Sequence, residues 1–104
     1  MKLLWTKESQ LRLFEIEEYI AKDNPTAAIS FVDELITIGE SIVDKPEKGR
    51  VVPELSIENI REIIHKNYRI VYIIKQKSID ILTVFEAHRL LRKDEIFGSW
   101  KFHI

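Results

Sequence analysis

The chain has no cysteine, which excludes a disulfide framework, a thiol nucleophile and a thiolate metal site. Glycine and proline are scarce, three of each in 104 residues, too few for a low-complexity or collagen-like chain. Long apolar runs are missing as well. Charges interrupt every hydrophobic stretch before the ~18 residues a membrane span needs, and Met1-Lys2-Leu3-Leu4 gives way at once to polar residues, so a cytoplasmic protein without membrane contact is expected. Net charge is also nearly absent, 16 Lys and Arg against 17 Asp and Glu. No global field draws the molecule to phosphate backbones, and a nucleic-acid role would need a local patch.

What is present fits one globular unit. Hydrophobic residues make up 45% and charged residues 32%, and the length suits a single domain over 1–104 with one core. The charges are unevenly placed: residues 1–45 hold five Lys and Arg against nine Asp and Glu, residues 46–104 eleven against eight. Acidic helices followed by a more basic sheet are the expectation.

Lys2-Leu3-Leu4-Trp5-Thr6 predicts a short strand, with Thr6 or Ser9 capping a helix from Lys7 to about Lys22. Leu13, Ile16 and Ile20 form its apolar stripe, while Leu11, Phe14 and Tyr19 fall off it, so the helix buries a second side or lends a face to a partner. Trp5 is read as a core anchor. Pro25, with Asn24 as cap, starts a second helix to about Asp44, and so short a break predicts an antiparallel helical hairpin. Residues 45–50 read as a loop and 51–55 as an extended or irregular segment. Ile60 to His65, Tyr68 to Lys75 and Ser78 to Ala87 predict a three-strand meander with turns at Lys66-Asn67 and Gln76-Lys77, and the tail from Arg89 predicts a short helix followed by Phe97, Trp100 and Phe102.

The run Tyr68 to Ile74 is too apolar for a solvated edge, so Arg69 within it needs a partner or a route to solvent. Two-residue turns place Arg69 opposite Ile64 and Val84. One sheet face then carries Ile63, Tyr68, Ile70, Tyr72, Ile74, Ile79, Ile81, Thr83 and Phe85 and receives the helices; the other gathers Arg69 with Glu62, Glu86 and His88. Two roles are open for Arg69. It is either one member of a structural ion pair with Glu62 and Glu86, or a phosphate-binding fork with His88 beside it to move protons. His65 and His103 have no further ligand at metal spacing, and neither a metal nor a cofactor is expected.

Five stretches carry a family resemblance: Asp23-Asn24-Pro25-Thr26-Ala27-Ala28, Gly49-Arg50-Val51-Val52-Pro53-Glu54-Leu55, Ile60-Arg61-Glu62, Tyr68-Arg69-Ile70-Val71-Tyr72, and Ile81-Leu82-Thr83-Val84 leading to His88-Arg89-Leu90-Leu91. In this order they resemble a toxin of the RelE/ParE superfamily of type II toxin–antitoxin modules. The resemblance implies an α+β fold, with an N-terminal strand and a helical hairpin packed on a twisted antiparallel sheet. It also implies neutralisation by a cognate antitoxin, in a hetero-oligomer or alongside a homodimer. ParE-like members poison DNA gyrase; RelE-like members cleave messenger RNA on the ribosome without a metal.

In a RelE-like nuclease, Arg69 matches the family's sheet arginine and His88 is the acid or base, although Glu86 stands where many relatives carry histidine. Arg50, Arg61, Arg89 and Arg92 would add positive charge toward phosphate or target. The Pro-Thr-Ala-Ala helix start, the Gly-Arg-Val-Val-Pro-Glu-Leu loop and the balanced charge are more similar to the ParE-like branch. Gyrase inhibition, as in plasmid-stabilisation modules, is therefore the expectation. The alternatives are a ribosome-dependent endoribonuclease and an inactive member that only binds antitoxin.

Overall fold

Two polar side chains set the start of the helices. Thr6, extended at φ −65° and ψ 162°, ends strand β1 (Lys2–Trp5) and caps α1 (Lys7–Ala21) by accepting the Ser9 amide at 3.1 Å. Asn24 accepts the Ala27 amide at 3.1 Å, and Pro25 fills the first position of α2 (Pro25–Ser41), where its missing N–H costs nothing. The two helices form the expected hairpin. α2 stops three residues before Asp44, although its apolar pattern continues: Ile42 is fully buried from within the turn, its amide donating to the Gly39 carbonyl. The computed structural model describes residues 1–89. The tail helix and aromatics expected after Arg89 lie outside the described residues, as does Arg92.

After a 3-10 turn at Pro46–Lys48 come β2 (Arg50–Val51), β3 (Ile60–His65), β4 (Tyr68–Ile74) and β5 (Ser78–Glu86). They form one sheet in the order β1-β5-β4-β3-β2. The N-terminal strand joins it as the resemblance implies, and it does so parallel to β5, while every other pair is antiparallel. Arg50, read as the end of a loop, and Val51, read as the start of an extended or irregular segment, form the short edge strand β2 against β3.

The β3–β4 hairpin has the expected register, with Ile64 opposite Arg69 and Ile63 opposite Ile70. The β4–β5 hairpin keeps its expected register only from Ile74↔Ile79 to Tyr72↔Ile81. There a bulge leaves Leu82 unpaired, and Val71 faces Thr83, Ile70 faces Val84, Arg69 faces Phe85 and Tyr68 faces Glu86. This corrects the predicted faces: Val84 turns to the helices, Phe85 turns away from them, Glu86 leaves the face of Arg69, and Thr83 now pairs with Val71 with its hydroxyl 3.5 Å from Glu8 of α1. One extra residue flips every later side chain of the strand. The Thr6 hydroxyl lies 2.9 Å from the Ile81 carbonyl and 3.0 Å from that of Leu82, so the helix cap also meets a carbonyl at the break in the ladder.

Both sheet faces are covered, which is why β4 is a nearly continuous apolar run. On the helix side, Leu13, Ile16, Val32, Leu35 and Ile42 pack with Tyr68, Ile70, Tyr72, Ile79, Ile81 and Val84. Gly39 lets α2 approach β1, since a Cβ there would lie 2.5 Å from the Trp5 ring, which itself packs against this core as read from the sequence. On the other side, Val52, Leu55 and Ile57 of the β2–β3 connection close over Ile60, Val71, Ile73, Leu82 and Phe85.

Candidate functional site

The buried arginine of β4 is the centre of the charged face. The Arg69 side chain is 4% exposed, and its nitrogens are all engaged. Nε donates to Glu62 Oε1 at 2.7 Å; Nη1 donates to Glu54 Oε2 at 2.7 Å and to the Arg89 carbonyl at 3.1 Å; Nη2 donates to Glu54 Oε1 at 2.8 Å and sits 2.5 Å from Glu62 Oε1. Glu62 is wholly buried, and its other oxygen accepts from Arg50 Nε at 2.6 Å. The Phe85 ring lies 4.9 Å from the Arg69 guanidinium carbon and 5.2 Å from that of Arg89. The Glu54 hydrogen bonds push the pKa of Arg69 further up, Glu62 adds to this, and burial opposes it. The cation is therefore fixed.

Three elements converge on this network: Arg69 from β4, Glu62 from β3 and Glu54 from the β2–β3 connection, with Arg50 of β2 at its rim. It ties the loop that covers the second core to the strand beneath it, and through the Arg89 carbonyl it holds the chain as it leaves β5. A guanidinium with two carboxylates in its fork has no face turned to a phosphate.

The other residues singled out from the sequence are spread over the molecule. His88 is 77% exposed and sits 3.1 Å from Glu86; among the described residues no hydrogen bond or ion pair joins it to Arg69. Arg61 points to the helix side of the sheet, opposite Tyr72, where Nη1 donates to the Gly49 carbonyl at 2.9 Å and Nε is buried without a partner. Arg50 and Arg89 are exposed.

Two further constellations were not anticipated. The Tyr72 hydroxyl accepts the Gly49 amide at 3.1 Å and donates to the Pro46 carbonyl at 2.6 Å, which latches the 3-10 turn to β4, and burial pushes its pKa up. At the other end of the sheet, His65 stacks on Phe31 of α2 and meets Glu34 at 2.9 Å, with Lys66 also 3.3 Å from Glu34. Glu54 was missed too: Pro53 marked its segment as extended, but nothing local pointed to Arg69. Among the described residues no group of three or more His, Cys, Asp or Glu could hold a metal ion, and no helix is long and apolar enough to cross a membrane.

Comparison with known proteins agrees with this architecture. A solved structure of the chromosomal ParDE toxin–antitoxin system of P. aeruginosa superposes with a TM-score of 0.69, covering 83% of this chain and 95% of that one at 20% identity, a likeness of fold. Y4kP of Sinorhizobium fredii strain NBRC 101917 / NGR234, whose name marks it as a candidate toxin, is 34% identical over 90 residues, 85% of this chain and 90% of its own. Residues 3–91 match the family described as ParE toxin of type II toxin-antitoxin system, parDE. With the match spanning almost all of the strand–hairpin–sheet unit, the chain belongs to the ParE toxin family of type II toxin–antitoxin systems.

Proposed function

We propose that this chain arrests growth by acting on DNA gyrase rather than on messenger RNA, and that a cognate antitoxin neutralises it in the cytoplasm. One observation carries the choice of target: the guanidinium of Arg69 is spent on Glu54, Glu62 and a carbonyl. Metal-free RNA cleavage needs a base for the 2′-hydroxyl, an acid for the leaving oxygen and an open cation for the charge that builds on the phosphate. Here a phosphate would have to displace two carboxylates from a buried cation while remaining beside their negative charge. The exposed His88 and Glu86 add no partner for such chemistry at Arg69. A net charge of −1 supplies no field for a ribosomal site either. For contact with the target this reading turns to the exposed Arg50 and Arg89 and to Arg92, with Arg50 also held by Glu62 through Nε, whereas Arg61 would first have to leave the Gly49 carbonyl.

The test sets gyrase supercoiling beside messenger RNA integrity in a translation extract. The expected result is inhibited supercoiling with intact RNA, and growth arrest retained by His88→Gln. Cleaved RNA with unaffected gyrase would overturn the reading, and unimpeded growth with abundant folded protein would identify an inactive member of the fold.

A further inference from the structure

The 3-10 turn that joins α2 to the sheet forms one wall of a cavity that the toxin reading does not use. The cavity holds about 590 Å³, bounded by Lys45, Pro46, Glu47 and Lys48 of the turn and by Met1 and Ile74. Small-molecule sites span roughly 300–1,000 Å³, so its size suits a small ligand.

Its walls are tied down. The Pro46 carbonyl accepts from the Tyr72 hydroxyl at 2.6 Å, and Tyr72 is fully buried. The Lys45 and Lys48 amides donate to the Ile42 and Lys45 carbonyls at 3.1 and 3.0 Å. The Ile74 amide donates to the Asn59 carbonyl at 2.8 Å, and its carbonyl accepts from the Asn59 side chain at 3.2 Å. A ligand would have little left to order.

The charge here is positive and poorly matched. Among the described residues Lys48 Nζ meets the Ser41 hydroxyl, at 2.6 Å, and no carboxylate, so two of its three N–H donors remain. Lys45 makes no ion pair among the described residues either. Under the turn the Arg61 guanidinium reaches only backbone: Nη1 lies 2.9 Å from the Gly49 carbonyl and 3.5 Å from that of Glu47, and the buried Nε has no partner. Lys45, Lys48 and Arg61 against Glu47 leave the turn with an excess of positive charge.

We infer that this cavity binds a small amphipathic anion, with its carboxylate, sulfonate or phosphate head between Lys45 and Lys48 and its apolar body against Met1, Pro46 and Ile74. Met1 is 59% exposed and Ile74 flanks the helix-side core, so the body covers hydrocarbon that is otherwise wet. A wholly hydrophilic anion would leave that hydrocarbon bare, and a neutral apolar molecule would leave both lysines unmatched. Arg61 stays on its carbonyls and acts through its field.

The test titrates the full chain with anilinonaphthalene sulfonate, an aromatic anion whose fluorescence rises in apolar surroundings. Saturable binding at one site per chain, displaced by octanoate, is expected. The double variant Lys45→Ala with Lys48→Ala, both exposed, weakens it about tenfold at an unchanged unfolding temperature, and added salt narrows the difference. Binding that the double variant leaves unchanged places the dye on another apolar surface, such as Leu11 and Phe14, and overturns the inference, as does the lack of saturable binding. Inorganic phosphate that displaces the dye as well as octanoate does would show a site for anions alone and overturn it too. Retention on phosphatidylglycerol vesicles that needs both lysines, without binding of dye or octanoate, would assign them to a lipid surface and overturn the inference.

Discussion

The two faces of the sheet are closed by different means. Under the helices the closure is hydrocarbon against hydrocarbon, with a tryptophan ring seated on a glycine. On the other face a loop with three apolar residues is fastened by Arg69, Glu54, Glu62 and Arg50. The first kind of closure is graded, because each buried side chain contributes roughly in proportion to its area. The second is conditional, because each buried charge is tolerable only while its partners are present. Arg69 thus serves as a clamp, and the loss of a carboxylate partner leaves its buried charge uncompensated.

Glu62→Ala tests this contrast most severely. Its side chain is 0% exposed and meets two arginines, so its removal leaves Arg69 with half of its compensation. Urea unfolding should show a loss of about 3–5 kcal/mol. The double variant Glu62→Leu with Arg69→Leu, which removes the buried charge as well as its partner, should recover most of that loss. A single-variant cost below about 1 kcal/mol, in the range of exposed pairs, would show that the network does not hold the loop.

On the helix side the corresponding break is steric. At Gly39 an added Cβ would lie 2.5 and 2.7 Å from atoms of the Trp5 ring and 2.9 Å from Ile81. Gly39→Ala should therefore cost about 1–3 kcal/mol by overpacking, despite alanine's better helix propensity. Trp5→Leu in the same background should relieve part of the cost, and measured additivity of the two changes would sink the assignment of the clash to that ring.

The faces also differ in how readily they were read from sequence. Helical spacing picked out Leu13, Ile16, Ala28, Val32 and Leu35, and Asn24-Pro25 located the hairpin turn, because caps and periodicity are local signals. The two-residue turn at Lys66-Asn67 set the β3–β4 register and, through it, brought Glu62 to the side of Arg69. The bulge in β5 left no trace. Residues 81–85 are buried on both faces of the sheet, so either register buries apolar groups and alternation cannot choose between them. Its hydroxyl partner, Thr6, lies 75 residues away. Glu54 escaped for a related reason: a loop has no period, and its carboxylate reaches Arg69 only after the loop has folded over the second core.

The weakest closure joins the β3–β4 turn to α2 through Glu34, and it should respond to pH rather than to packing. His65 lies 2.9 Å and Lys66 3.3 Å from one Glu34 oxygen, and their hydrogen bonds, the His65 bond first, hold the Glu34 pKa below the ordinary carboxylate value. A depressed folded pKa means that the ionised carboxylate is favoured in the folded state. The contribution is present above the unfolded value, about 4.3, and is lost as pH falls through the lower folded value. Because the pair is open to solvent, the effect is small and shrinks with salt. Unfolding of the wild type and Glu34→Gln in parallel should give a stability gap near pH 6 that closes on acidification and narrows in high salt. A gap that stays constant down to pH 2 would show that it does not arise from the Glu34 charge.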